Sequence, residues 1–346
     1  MHRAAVAAVD VVRQARKKGR GIGAFNVITL EHAEGIVAGA ESAGLPVILQ
    51  LSENAIAYHG AFEPIGLATL SLARRAAVPV AVHLDHAEDV DLVHEAVAAG
   101  VRSVMYDGSR LPYGENVVAT RAVVEHCHEH GVVVEAELGE VGGKDGVHAP
   151  GARTDPAEAA AFVAATGVDS LAVAVGTSHA MTERVAHVDV ALIALLADAL
   201  DVPLVLHGSS GLSDGELQRA VRAGMTKVNI STHLNMLFTR AVREALDAPR
   251  PPVDPGRYIA AGREAVASEV ERIMRVPASG GFDGQLGDGE VGAVLRSALG
   301  RQRAHRDRGQ PVRVDGAGDL DHGTLGQVVD QSAVDHVGVV SRGASR

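Results

Sequence analysis

Short, almost wholly apolar runs recur along the chain, each followed by an alanine-rich stretch of helical period. The runs are Gly23–Val27, Pro46–Leu51, Pro79–Leu84, Val101–Tyr106, Val132–Glu137, Ser170–Val175, Pro203–His207 and Thr226–Ile230. Runs so uniformly apolar suit parallel strands buried on both faces. Between them, Leu30–Ala43, Glu88–Ala99, Glu115–His130, Pro156–Thr166, Val188–Leu200 and Asp214–Ala223 place apolar residues at helical spacing. Gly44, Gly100, Gly131, Gly167 and Gly224 fall where those helices must stop, and Asp155 and Ser213 fall where caps are needed.

Eight such units, joined by right-handed crossovers, predict a TIM (β/α)8 barrel over residues 1–276. An open doubly wound sheet is the alternative, but no dinucleotide-type glycine loop follows the first run. The first 21 residues have the period of an amphipathic helix, not the continuous apolar segment of a secretory signal. Asp10 and the immediate run into a strand argue against a transit peptide. Residues 277–346 are rich in Gly, Asp, Arg and Val, with helical period only at Val291–Arg303. That composition predicts an extension outside the barrel, flexible and disordered in part or whole.

Composition narrows the function. With 346 residues and 47% hydrophobic content, the chain can bury a large core. A net charge of −11 and the lack of a basic stripe argue against nucleic acid as a partner. No run of about 18 apolar residues exists, so no membrane span is expected. The single cysteine, Cys127, forbids an intrachain disulfide and fits a cytoplasmic protein.

Barrels of this kind carry their chemistry at the C-terminal ends of the strands. Polar residues gather there: Asn26; Gln50 and Ser52; His83-Leu84-Asp85-His86; Glu135-Ala136-Glu137; Thr177-Ser178-His179; His207-Gly208-Ser209-Ser210-Gly211; and Asn229-Ile230-Ser231-Thr232. One histidine at a strand end usually just satisfies a hydrogen bond. Three of the 17, His86, His179 and His207, fall on strands three, six and seven at the same end. Three neutral imidazoles with an open position suit a catalytic divalent metal, zinc most often. Asp85 is either a carboxylate orienting a ligand or a general acid/base beside a metal-polarised oxygen. Glu137 is either an orienting group or an alternative ligand. The turns after strands seven and eight are either tight capped turns or a phosphate site of backbone N–H groups, hydroxyls and a helix N-terminus. The glycine-rich Gly142–Gly146 reads as a lid.

Five motifs, in order and on the right strands, resemble the class II, metal-dependent ketose-bisphosphate aldolases, a family that includes fructose- and tagatose-bisphosphate aldolases. They are AFNV (Ala24–Val27), HLDH (His83–His86), VEAELG (Val134–Gly139), LVLHGSSG (Leu204–Gly211) and KVNIST (Lys227–Thr232). The likeness runs from about Arg13 to Arg275. It implies a lyase that reversibly cleaves a ketose 1,6-bisphosphate, fructose 1,6-bisphosphate before its tagatose epimer, into dihydroxyacetone phosphate and glyceraldehyde 3-phosphate. By resemblance His86, His179 and His207 hold Zn2+, Glu137 holds it in a displaced position, and Asp85 is the acid/base. Gly208, Ser210, Asn229 and Thr232 resemble the dihydroxyacetone-phosphate site, with Asn229 also beside the enediolate, and Ser209 and Ser231 of the same two turns are further candidates for substrate binding. Asn26, Gln50 and Ser52 line the substrate cavity, and Arg263 contacts the distal phosphate, sometimes from a neighbouring subunit. The resemblance also implies a monovalent cation (Na+ or K+) near the phosphate and a homodimer or homotetramer.

Three departures stand out. Ala180 follows His179 where the family commonly has glycine. The lid reads Gly143-Lys144-Asp145-Gly146, one residue short, which leaves Asp145 as the lid acid. Residues 277–346 have no family counterpart. Two other functions compete: a metal-dependent barrel hydrolase, which would want a His-x-His pair on the first strand, and a sugar-phosphate-binding homologue without turnover.

Overall fold

The computed structural model describes residues 8–138, 153–179 and 181–278. Eight parallel strands close on themselves in sequence order, with the last pairing the first. They are β1 (Ile22–Asn26), β2 (Val47–Ser52), β3 (Val80–Ala87), β4 (Ser103–Tyr106), β5 (Val133–Glu137), β6 (Ser170–Ala172), β7 (Leu204–Leu206) and β8 (Met225–Ile230). This is the TIM barrel that the alternation of runs and helices predicts.

The helices are α1 (Ala8–Lys17), α2 (Leu30–Ala43), α3 (Glu53–His59), α4 (Phe62–Arg75), α5 (Val90–Ala99), α6 (Tyr113–Glu129), α7 (Pro156–Thr166), α8 (Val190–Ala199), α9 (Asp214–Ala223), α10 (Thr232–Leu246) and α11 (Pro255–Ala278). Three match the sequence pattern to the residue: α2, α7 and α9. Asp155 caps α7 by accepting from the N–H groups of Ala157 and Glu158, and Ser213 caps α9 by accepting from Glu216 N–H. Both local devices satisfy orphan donors at the helix start. The β2–β3 connection carries two helices, α3 and α4, which the pattern of runs leaves unmarked. The segment Val291–Arg303, the lid residue Asp145 and Ala180 lie outside the described residues. No described helix is long and apolar enough to cross a membrane.

The core lies between barrel and helices, filled by Phe25, Ile36, Leu49, Phe62, Phe162 and Leu196 among others. Helix α11 packs on α2 at very short range. A Cβ at Gly35 would stand 2.7 Å from the Arg263 carbonyl oxygen, and one at Gly39 would stand 2.5 Å from that of Ala267. Two glycines one turn apart therefore let the backbones meet, and any side chain there pushes α11 away.

Inside the barrel the pattern inverts. Strand side chains alternate between outer and inner faces. The inner positions of three strands are polar at i and i+2: His83 and Asp85 on β3, Glu135 and Glu137 on β5, Lys227 and Asn229 on β8. All six are buried. They form two tiers, a lower one of His83, Glu135 and Lys227 and an upper one that belongs to the site.

Candidate metal centre and active site

Strand β3 breaks the alternation where it matters. Its register against β4 shifts between Leu84 and Ala87, and His86 adopts a left-handed φ of +50°. That conformation costs a non-glycine residue about 1–3 kcal/mol and tends to persist at functional sites. A regular strand would send Asp85 and His86 to opposite faces. With this kink, both line one cavity of about 480 Å3 at the C-terminal mouth of the barrel.

His86, His179, His207 and Glu137 converge there. One ligand atom from each lies within 4.8 Å of all the others. Ring centroids are 5.1 Å apart for His86–His179, 4.6 Å for His86–His207 and 5.6 Å for His179–His207. Carboxylates set the tautomers of two rings. His86 Nδ1 stands 2.6 Å from Asp107 Oδ2, and His207 Nε2 stands 3.1 Å from Glu135 Oε1. An ionised carboxylate only accepts, so each of these nitrogens carries the proton and the opposite nitrogen keeps its lone pair. His207 Nδ1 is 3.1 Å from Glu137 Oε2 without the alignment of a hydrogen bond, and this buried nitrogen has no hydrogen-bond partner among the described residues.

The electrostatics point the same way. Asp85, Asp107, Glu135 and Glu137 are buried around the cluster, against one buried lysine among the described residues, Lys227. Burial alone lowers the pKa of His207, but the hydrogen bond to Glu135 and the adjacent Glu137 carboxylate raise it to about 9. The pocket thus favours positive charge at that imidazole. A divalent cation satisfies the same demand, and three nitrogens with a carboxylate are a zinc-type donor set. The residues fit the ion.

Beneath them the lower tier is fully connected. Lys227 Nζ donates to Glu135 Oε2 at 2.8 Å and to His83 Nε2 at 3.2 Å, and His83 Nδ1 donates to Ser103 Oγ at 2.7 Å. Burial, with the Lys227 charge beside it, holds His83 neutral, down to about 3. Burial pushes Glu135 up, but Lys227 and the His207 hydrogen bond outweigh it and keep Glu135 well below the usual carboxylate range.

Asp85 sits in the upper tier between two amides. Asn26 Nδ2 donates to its Oδ2 at 3.1 Å and Asn229 Nδ2 to its Oδ1 at 3.4 Å. Burial raises its pKa, yet the charges of His86 and Lys227 bring the net shift below the ordinary value. The carboxylate is fixed, ionised and beside the candidate ligands, the state that a general base requires.

Across the cavity, Gly208, Ser209, Ser210, Ser231 and Thr232 form one wall. A 3-10 turn spans Ser209–Gly211, and the side chain of Ser231 makes no capping hydrogen bond at the start of α10. Ser210 Oγ accepts from the N–H groups of Ser231 at 3.4 Å and His233 at 3.3 Å, tying the two turns together. Gly208 has φ +66°, and a Cβ there would stand 2.5 Å from the Ser178 carbonyl oxygen. Thr177 Oγ1 donates to the His207 carbonyl at 2.6 Å, so the loop carrying His179 is clamped onto β7.

Of the residues singled out in the sequence, Asn26, Ser52, Asp85, His86, His179, Gly208, Ser209, Ser210, Asn229, Ser231 and Thr232 line the cavity. Glu137 and His207 lie at its floor with no exposure. Gln50 is placed differently: wholly buried, it donates to Asn26 Oδ1 at 3.5 Å and is not among the lining residues. Arg263 stands on α11, where its guanidinium meets Glu34 at 2.9 Å and not the cavity of its own chain. Sequence reasoning passed over Asp107 and Arg110, one and four residues beyond the end of β4. The readable signal was Asp107 itself, a carboxylate just past a strand end.

A closed barrel with three histidines and a glutamate converging at its mouth is a barrel with a candidate metal site. The chain belongs to the class II fructose-bisphosphate aldolase family, whose profile matches residues 6–281, and is a lyase of that family. It is similar to the YdjI aldolase of Escherichia coli K12, with 32% identity over 80% of this chain and 98% of that one, and a TM-score of 0.69. A candidate fructose-1,6-bisphosphate aldolase of Coccidioides immitis shares 31% identity over 80% of this chain and 97% of its own, with a TM-score of 0.72. Fructose-bisphosphate aldolase from Campylobacter jejuni, 22% identical over 79% and 98%, shares the fold at a TM-score of 0.64.

Proposed function

We propose that the enzyme is a zinc-dependent aldolase that cleaves a ketose 1,6-bisphosphate, fructose 1,6-bisphosphate before tagatose 1,6-bisphosphate, into dihydroxyacetone phosphate and glyceraldehyde 3-phosphate. The observation that carries the proposal is the placing of Asp85 directly beside a three-histidine, one-glutamate donor set. Cleavage of a C–C bond next to a hydroxyl needs two things: a base for the hydroxyl proton and a sink for the electron pair left behind. Zn2+ held by His86, His179 and His207, with Glu137 in reach, supplies the Lewis acidity for the second.

The remaining work falls to the chain itself. Asp85 takes the C4 hydroxyl proton as the C3–C4 bond breaks, with its carboxylate held in place by Asn26 and Asn229. The wall from Gly208 to Ser210 and from Ser231 to Thr232 receives the C1 phosphate through backbone N–H groups, hydroxyls and the start of α10. Asn229 thus holds the base from a position two residues before Ser231 of that wall.

A coupled cleavage assay with metal removal tests the reading. Turnover is expected to vanish with EDTA and return with zinc, and His207→Ala is expected to lose both zinc and turnover. A folded His207→Ala enzyme with normal zinc content and full turnover would overturn it.

A further inference from the structure

The wall built from the turn after β7 and the start of α10 is joined on its cavity side by weak links. Ser210 Oγ accepts from the N–H groups of Ser231 at 3.4 Å and His233 at 3.3 Å. Both distances lie beyond the usual range for an N–H donor. Two such contacts fix one turn against another only loosely.

The strong links run round the outside. His233 Nε2 donates to Glu269 Oε1 on α11 at 2.7 Å. Arg272, three residues along α11, donates to both oxygens of Glu269, at 2.9 Å and 2.8 Å. The same guanidinium reaches Asp214 at the start of α9. Asp214 Oδ1 in turn accepts from Arg184 Nη2 at 2.6 Å, and Arg184 Nε donates to the Leu212 carbonyl at 2.6 Å. Leu212 ends the turn that carries Ser210. The network therefore leaves the wall at His233 and returns to it at Leu212.

Every link in this loop is charge-assisted, the stronger kind of hydrogen bond. An isolated surface pair holds little, but here each charge serves two partners. The pair next to the wall is also shielded, with the His233 and Glu269 side chains 20% and 16% exposed. None of His233, Glu269, Arg272, Asp214 and Arg184 lines the cavity, so any effect on a bound molecule passes through the backbone they hold.

We propose that His233, Glu269 and Arg272 are positioning residues: by tying the turn after β7 to the start of α10 from outside the barrel, they set the affinity of the wall for the phosphate of the three-carbon half of the substrate. This rests on the aldolase reading above, which places that phosphate on the wall.

The test uses the zinc-loaded full chain and two readouts: steady-state cleavage of fructose 1,6-bisphosphate, and calorimetric titration with inorganic phosphate, which needs no turnover. Glu269→Gln and Arg272→Met are each expected to raise KM and the phosphate Kd by about 3- to 10-fold, the scale of one net hydrogen bond. Zinc content and kcat are expected to stay within about twofold, because the metal ligands and Asp85 are not in the loop. The double variant is expected to be little worse than the worse single one, since both act through His233. Glu271→Gln is the control: it cuts a separate α11 pair, to Arg275 at 2.7 Å, and is expected to leave the phosphate Kd unchanged. An unchanged phosphate Kd in Glu269→Gln and Arg272→Met overturns the inference, and so does an equal rise in Glu271→Gln. A fall in kcat or zinc content as large as the rise in KM marks general loosening and overturns it as well. A wild type that binds phosphate but cleaves neither the fructose nor the tagatose bisphosphate overturns the aldolase reading instead.

Discussion

The Lys227 ammonium lies 2.8 Å from Glu135 Oε2 in the barrel interior, and the other oxygen of that carboxylate orients His207 from 3.1 Å. A cation on β8 is thus linked, through a carboxylate on β5, to the candidate ligand His207 just past β7.

Lys227→Met is expected to weaken zinc affinity by about 10- to 100-fold, the usual effect of disturbing a ligand's supporting partner. It is also expected to destabilise the fold by about 3–5 kcal/mol, because Glu135 is left buried and uncompensated. Competition against a chromophoric chelator measures the first and urea denaturation the second. Adding Glu135→Gln is expected to restore part of the stability but not the affinity. Unchanged zinc affinity in Lys227→Met would break the proposed chain.

Asp85→Asn keeps the shape of the side chain and removes the base. Its kcat is expected to fall by about 10^2- to 10^4-fold, the range for a positioned acid/base, with zinc content unaltered. Steady-state kinetics with metal analysis on the same sample decides the matter. A loss under tenfold would reassign Asp85 to orientation.

Glu269 on α11 carries a pH prediction. Burial alone raises its pKa, but hydrogen bonds from His233 at 2.7 Å and Arg272 at 2.9 Å more than offset this and bring it down to about 2. A carboxyl depressed in the folded state stabilises fully above its unfolded value, near 4.5, and loses that contribution as pH falls towards 2. Glu269→Gln is therefore expected to be less stable than wild type at pH 7, with the gap closing between pH 5 and 2. His233 N–H bonds Ser210 Oγ, so the same variant is expected to raise the substrate KM modestly. A gap that stays constant from pH 7 to 3 would remove the ion-pair account.

The barrel was legible because its signals are local and periodic. Leu30–Ala43 and Pro156–Thr166 announce themselves by spacing and by the residues at their ends. The polar strand ends were legible for the same reason, since His86, His179, His207 and Asp85 interrupt apolar runs at positions the topology brings together. What spacing cannot carry is direction. Gln50 sits at a strand end like its neighbours but is wholly buried against Asn26, and Arg263, on the helix packed against Gly35 and Gly39, meets Glu34. Lys227, Glu135 and His83 look like isolated polar residues in apolar strands until the closed ring sets them against one another. Asp107 and Arg110 follow a run whose last residue, Tyr106, gives no hint of a site.

The kink at His86 has one further consequence. Consecutive Cα atoms are held about 3.8 Å apart by covalent bonds. Asp85 and His86, the proposed base and a proposed metal ligand, are thus spaced by the backbone itself. The distances among His86, His179 and His207 depend on how well separate strands pack, and loosening of the barrel by heat or mutation can stretch them. The step from base to ligand cannot stretch in that way, so a relaxed enzyme is expected to lose its grip on the ion before it loses the alignment of its proton acceptor.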